Sequence, residues 1–396
     1  MTVKEKLGEI FQSYHKADLQ DILDFFKIDY SRTMRKGELY DLLIEIIAEE
    51  PEFWLGSLPE RDIKLLEFLI SKGADKTAYI EYPDYPSLLE TLRLIDSDNS
   101  DPNFLKLSIS PEISRLVEPH LKKVHAMNEE NSTYMLERLI LGCLNIYGII
   151  PADELVDEIV EKLHLNEIED VDECVKFVSR NSLMKIYGEI IDGRAYFFSP
   201  SAYDYQNILE ERESFPEAKD FKSFSIEEIL EAGGDAPYSC FGINTPEGEK
   251  LHSMLHGLGY RGDDLKRIIH DIWIYSQFTI DDKSTENLFA SVTAKQELIR
   301  DFDNYKECID TIVEYANILP KWLLKGHSAN EMDLMKISIK VDDGYLHSDS
   351  LPDEIKVNLH YDLSSLCNNI EKAALSWMIF VAPDKAASQK NRRILS

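Results

Sequence analysis

His252 and His256 lie four residues apart in "LHSMLHG", so on a helix their imidazoles share one face and supply half of what a divalent metal ion requires. The glutamate of an H-E-x-x-H metalloprotease motif is missing. Ser253 stands in its place, and no carboxylate is fixed nearby. His270 completes a ligand set only if the fold brings it alongside. These histidines read as ordinary packed or surface residues, and no metal or other cofactor is expected.

A second group of chemical interest is Arg32, Arg35 and Lys36, the densest positive cluster in the first half of the chain. Guanidinium and ammonium groups at this density suit phosphate oxygens. Leu19, Ile22, Leu23 and Phe26 recur at helical spacing before the cluster, and Leu39, Leu42, Leu43, Ile46 and Ile47 recur after it. Residues 1–50 therefore read as a small helical module with an extended basic loop between two helices. Asp18, Asp21, Asp24 and Asp29 precede the cations, and Glu38, Asp41 and Glu45 follow them, so a packing module with solvated charges is the competing account. The stretch 19–47 resembles SAP and Rho-N-terminal modules, in which a basic loop before the second helix meets nucleic acid. That resemblance implies contacts from Arg35 and Lys36, with Arg32 beside them.

The third group sits in "KWLLKGHSAN", residues 321–330, where Trp322 keeps company with Lys325, Gly326, His327 and Asn330. An indole, an ammonium, an imidazole and a carboxamide could together hold a ligand. The local pattern offers a simpler account. A helix through Ile309, Ile312, Val313 and Ala316 must end before Pro320, Trp322 and Leu323 then provide apolar anchors, and Gly326 permits a turn. Trp322 pinning a helix end requires no ligand, so these five residues are expected to be a structural or interaction anchor. The run also resembles a segment shared by a group of uncharacterised Firmicutes-type proteins, W-x-x-K-G-[HY]-[ST]-x-N-E-[LM], here carried by Trp322, Lys325, Gly326, His327, Ser328, Asn330, Glu331 and Met332. Ala329 stands where a proline is common. Many members of that group finish with a SEC-C zinc-binding tail. No CxC or CC pair follows residue 332 here, so that tail is not part of this chain.

These groups sit in a chain of 396 residues, too long for one ordinary core, and several modules are expected. Residues 51–129 read as a helical connecting region. From 130 to 212 three helices are followed by "KIYGEIIDGRAYFFS", two strands around Asp192-Gly193, a dipeptide suited to a type I' hairpin turn. Three helices and a hairpin in that order resemble a winged helix, whose third helix usually enters the major groove. Here that helix would bury Val171, Cys174, Val175 and Val178, leaving Asp172, Glu173, Lys176, Ser179 and Arg180 outside with no positive excess. The wing tip carries Arg194 with Asp192 two residues away. Protein contact or a structural role is favoured over DNA for this module. After a charged linker, residues 222–332 read as a helical domain with helices near 247–259, 262–277, 284–300 and 303–317. Residues 333–396 read as a small α+β region ending in a basic tail of Lys385, Lys390, Arg392 and Arg393. The fold class is thus mainly α and multi-module.

Lys and Arg number 43 against 73 Asp and Glu, a formal charge of -30, so nucleic acid would be repelled at long range and could bind only through a local basic patch. The five cysteines are odd in number and widely spaced without a CxxC, which argues against a zinc ribbon and a secreted disulfide framework. The first residues lack an apolar h-region, and the longest apolar runs fall short of the roughly 20 residues that a span requires. A cytoplasmic protein with no membrane partner is expected. No Walker A loop, G-x-G-x-x-G, G-x-S-x-G or H-E-x-x-H occurs, and no catalytic residue is nominated. The leading expectation is a non-catalytic interaction or regulatory protein that uses the winged-helix-like module to contact a protein partner. The alternatives are a nucleic-acid-associated regulator acting through Arg32, Arg35 and Lys36, or an acidic inhibitor, of phage type, of a nucleic-acid-binding enzyme.

Overall fold

A computed structural model describes residues 1–26, 28–81, 87–101, 104–164, 187–202, 204–234, 240–277, 302–332, 340–342 and 345–347. The expected third helix of the winged-helix-like module, the helix at 284–300 and the chain beyond 347 with its basic tail lie outside these residues. What is described is mainly helical with small antiparallel sheets, and it falls into two compact units. Among the described residues no helix is long and apolar enough to cross a membrane.

The first unit comprises residues 1–137 of the described chain. It opens with α1 (Val3–Gln12), started by a reciprocal capping box in which the Glu5 backbone N–H donates to Thr2 Oγ1 at 3.2 Å and the Thr2 N–H donates to Glu5 Oε2 at 2.7 Å. α2 (Lys16–Phe25) and α3 (Lys36–Glu49) follow, joined by an extended loop. Leu7 and Phe11, then Leu19, Ile22 and Leu23, then Leu39, Leu43 and Ile47 face inward at helical spacing. The core they form does not stop at residue 50. It continues through α4 (Pro51–Leu55), where Trp54 is fully buried and donates its indole N–H to the Ile47 carbonyl at 3.1 Å, into α5 (Glu60–Lys72) and α7 (Pro111–Glu130).

The stretch expected to be helical connecting structure also contains a sheet. β1 (Ala78–Glu81), β2 (Asp96–Asp98) and β3 (Phe104–Ser108) pair antiparallel in the order β1-β3-β2, with the single-turn α6 (Leu88–Thr91) between β1 and β2. The strands are three to five residues long, and β2 is exposed throughout, so little alternation was available to mark them. Two buried carboxylates tie this unit together. Asp62 accepts from Ser87 Oγ and from the Leu88 N–H, both at 2.9 Å, and so caps α6 from a distance of 25 residues. Glu137 accepts from the Glu60 N–H at 3.2 Å, at the first turn of α5. Burial raises both carboxyls, Glu137 to about 8.

The chain enters the second unit within α8 (Thr133–Tyr147), continues through β4 (Ile149–Pro151) and α9 (Ala152–Lys162), and returns as β5 (Gly188–Ile191) and β6 (Arg194–Phe198). These strands form an antiparallel sheet in the order β4-β6-β5. Asp192 and Gly193 both have positive φ, 50° and 82°, which is what the Asp-Gly pair promised for a two-residue hairpin turn. Further on come α10 (Tyr205–Arg212), α11 (Ile226–Gly233), α12 (Pro246–Gly257), α13 (Gly262–Gln277), α14 (Phe302–Ile318) and the single-turn α15 (Ala329–Met332). β7 (Lys340–Asp342) pairs with β8 (Tyr345–His347).

Candidate functional site

Building the N-terminal loop from its residues upward, Arg32, Arg35 and Lys36 all prove exposed. Arg32 is held: its Nη2 lies 3.0 Å from Asp24 Oδ2, and its guanidinium sits 5.2 Å from the centre of the Tyr30 ring. Arg35 takes the N-cap position of α3, its backbone N–H donating to Glu38 Oε2 at 2.6 Å. Lys36 opens the helix and donates Nζ to the Gln12 carbonyl at 3.2 Å. Neither the Arg35 nor the Lys36 side chain has a carboxylate partner among the described residues. The flanking carboxylates Asp18, Asp24 and Glu38, which competed with the cations on paper, are engaged locally. Asp18 accepts from the His15 N–H at 2.6 Å, Glu38 caps α3, and Asp24 pairs with Arg32.

Residues 321–330 have a different character. Lys321 and Trp322 are buried, as is Gly326, whereas Asn330 is exposed. The segment folds back on itself: Pro320 bridges Ser328, the Lys321 N–H donates to His327 O at 3.1 Å, and the turn passes through Lys325 and Gly326 at φ of 51° and 86°. Trp322 does more than end α14. Its indole N–H donates to the Asn145 carbonyl at 2.8 Å, near the C-terminus of α8 and 177 residues away in sequence. The ring occupies the space over Gly148, where an added Cβ would lie 2.4 Å from Trp322 Cγ. Arg212 stitches the same point, donating Nε to Trp322 O at 2.9 Å and Nη2 to Tyr147 O at 2.6 Å, a cation set at the carbonyl end of α8. Burial lowers that guanidinium to about 10.

Lys325 and His327 point outward to the linker. Lys325 Nζ donates to Lys219 O, His327 Nε2 lies 3.3 Å from Asp220 O, the Lys222 N–H donates to Lys325 O at 3.0 Å, and Lys222 Nζ pairs with Glu331 at 2.8 Å. Thus the side chains that could have gripped a ligand grip backbone carbonyls of residues 219–220. A cleft of about 240 Å³ opens beside them, lined by Phe224, Phe241, Thr245, Pro246 and Pro320 among others, and its Lys222 is the one already paired with Glu331.

Within this knot Lys321 is unusual. Its ammonium is fully buried, donates to Ser276 O at 2.8 Å, and has no carboxylate partner among the described residues. Burial alone lowers it to about 7. Sequence inspection passed over this residue because a lysine beside a proline reads as surface.

His252 and His256 do share one face of α12, with ring centres 6.4 Å apart, and both are exposed, while His270 on α13 is buried. No group of three potential metal ligands forms among the described residues. Cys143, Cys240 and Cys308 are buried free thiols, and burial pushes Cys308 up to about 11 and Cys240 to about 12, far from a reactive thiolate. At the β5–β6 hairpin, Arg194 is fully engaged: Nη2 lies 2.8 Å from Asp153 Oδ2 and 2.9 Å from Glu154 Oε1. The hydrogen bonds to Asp153, with help from Glu154, hold the guanidinium above its ordinary range. Ile190, on the neighbouring strand, is 73% exposed.

No protein-family model, no curated protein and no solved structure matches this chain.

Proposed function

We propose that this chain is a non-catalytic, cytoplasmic interaction protein in which α8, β4, α9 and the β5–β6 hairpin belong to a winged-helix module that contacts another protein through its wing. The strand order β4-β6-β5 around a type I' turn supports the module assignment. One observation carries the choice of partner class. The wing's cation is neutralised by two carboxylates, while Ile190 beside it presents an apolar side chain to solvent. A phosphate backbone would gain little from such a surface, and an apolar patch on a protein would gain from covering Ile190. Kinship with the W-x-x-K-G group belongs to the same proposal and rests on the eight matching residues at 322–332.

The test is co-purification from nuclease-treated extract with tagged wild type and Ile190→Asp. Because Ile190 is exposed on strand β5, the substitution costs on the order of 1 kcal/mol, the span of strand propensities. A protein retained by wild type and lost from the variant is expected. Retention that ignores residue 190, or that disappears with nuclease, refutes the reading.

A second reading is favoured by a separate observation. In a chain of charge -30, Arg35 and Lys36 are exposed and free of carboxylate partners among the described residues. Contact with nucleic acid through Arg32, Arg35 and Lys36 follows from that, and it is compatible with a protein-binding wing.

A further inference from the structure

Arg93 stands where a different residue would be expected. The single-turn helix Leu88–Thr91 ends in a Schellman motif: the Arg93 N–H donates to Glu90 O at 3.0 Å, and the Leu94 N–H donates to Leu89 O at 2.9 Å. The motif requires a left-handed residue at its penultimate position, a place normally filled by glycine or asparagine, and Arg93 fills it at φ 52°. This backbone aims the side chain at the turn between α1 and α2. There Nη1 donates to Ser13 Oγ at 2.7 Å, and the guanidinium lies 4.9 Å from the centre of the Tyr14 ring. Residue 93 is exposed and has no carboxylate partner among the described residues.

The same short turn receives the basic loop. Lys36 Nζ reaches the carbonyl of Gln12, the residue next to Ser13, and Lys16, at the start of α2, donates Nζ to the carbonyl of Arg32 at 3.3 Å. Folding thus gathers cations from four places in the chain (residues 16, 32, 35–36 and 93) around residues 12–16. Two are guanidiniums laid against tyrosine rings, Arg93 on Tyr14 and Arg32 on Tyr30. Of the neighbouring carboxylates, Asp18 and Glu38 cap helices and Asp24 pairs with Arg32. Lys16, Arg35, Lys36 and Arg93 keep their charge unpaired.

We infer that Arg93 and Lys16 complete, with Arg35 and Lys36, a surface that holds the phosphodiester backbone of a nucleic acid. The inference rests on the second reading above and adds to it two residues outside the basic loop. Charge decides between anionic partners. A broad anionic surface such as a membrane would extend past the cluster and meet the repulsion of a chain at -30, whereas a strand of phosphates can follow the narrow set of cations. Stacked guanidiniums beside tyrosines also suit a strand that offers bases as well as phosphates.

The experiment is fluorescence anisotropy with labelled single-stranded DNA, duplex DNA and RNA across a salt series. It compares wild type, Arg93→Asn, Arg93→Lys, Lys16→Gln and the triple variant Arg32→Ala/Arg35→Ala/Lys36→Ala. Asparagine is chosen because it accepts the left-handed backbone at residue 93, so the folded state survives the exchange. Arg93→Asn and Lys16→Gln should each weaken binding roughly three- to tenfold and flatten the salt dependence by about one unit of log–log slope, while Arg93→Lys keeps the wild-type slope. Wild-type affinity and slope in both Arg93→Asn and Lys16→Gln, with binding lost in the triple variant, would overturn the inference and leave the second reading standing. Absence of wild-type binding to any of the three probes overturns both.

Discussion

Replacing Gly148 by alanine separates two costs that are usually entangled. The residue lies between α8 and β4 at φ 73°, so any L side chain there meets the left-handed penalty of about 1–2 kcal/mol. It also lies under Trp322, whose Cγ, Cδ2 and Cβ would stand 2.4, 2.6 and 2.9 Å from the new Cβ. The indole cannot retreat freely, since its N–H is bonded to Asn145 O and its backbone N–H to Gln277 Oε1, both at 2.8 Å. Forcing it aside adds an overpacking term of about 1–3 kcal/mol. Gly193 supplies the control, at φ 82° with nothing within 4 Å of an added Cβ. Gly193→Ala should therefore cost about 1–2 kcal/mol and Gly148→Ala about 2–5 kcal/mol, a gap that urea unfolding monitored by tryptophan fluorescence resolves. At about 2–4 °C per kcal/mol, the melting temperatures should separate as well. Equal losses for the two variants would show that the indole does not depend on the missing side chain at 148, and the packing argument for the W-x-x-K-G segment would fall with it.

Two further predictions concern pH, with opposite signs. Lys321 is about 7 when folded against an ordinary 10.5, so between those values the unfolded chain holds the extra proton and stability rises with pH. The wild-type advantage relative to Lys321→Met should grow by about 2 kcal/mol from pH 7 to pH 9, and a flat difference between their urea midpoints would disprove the buried ammonium. Glu137 is about 8 when folded against 4.5, so the unfolded chain loses its proton first and stability falls as pH rises through that window. Relative to Glu137→Gln, wild type should lose about 3 kcal/mol between pH 5 and pH 8, and the protection of the Glu60 amide, which Glu137 caps, relative to its intrinsic exchange at each pH should fall over the same range.

The parts of the fold legible in sequence were those fixed by nearest neighbours. Asp192-Gly193 declared its turn because a type I' geometry demands two positive φ values and few pairs supply them. Leu19, Ile22 and Leu23, or Leu39 and Leu43, declared their helices because burial follows the helical repeat. The sheet of the first unit did not show itself. Its central strand has alternating burial, but its partners are a four-residue edge and the wholly exposed Asp96–Asp98, and pairing between segments leaves no local mark. The continuity of the core past residue 50 was hidden for the same reason.

The candidate sites divide along this line too. Trp322, Lys325 and His327 crowd polar and aromatic groups into a short stretch where a structural anchor was expected, and each is spent on a backbone carbonyl more than 100 residues distant, at Asn145, Lys219 and Asp220. Arg32, Arg35 and Lys36 stand among acidic residues in sequence, yet Arg35 and Lys36 have no carboxylate partner among the described residues, since Asp18 and Glu38 turn to helix N-termini and Asp24 to Arg32. Sequence proximity counts charges without knowing which have partners. Arg93 shows the converse: 57 residues past Lys36, it carries no signal in its own neighbourhood except that an arginine occupies a left-handed helix end where glycine would cost less. That misplacement is a feature that sequence could have offered, had the end of α6 been predicted to the residue, and it is the reason Arg93→Asn is the most informative substitution in the basic cluster.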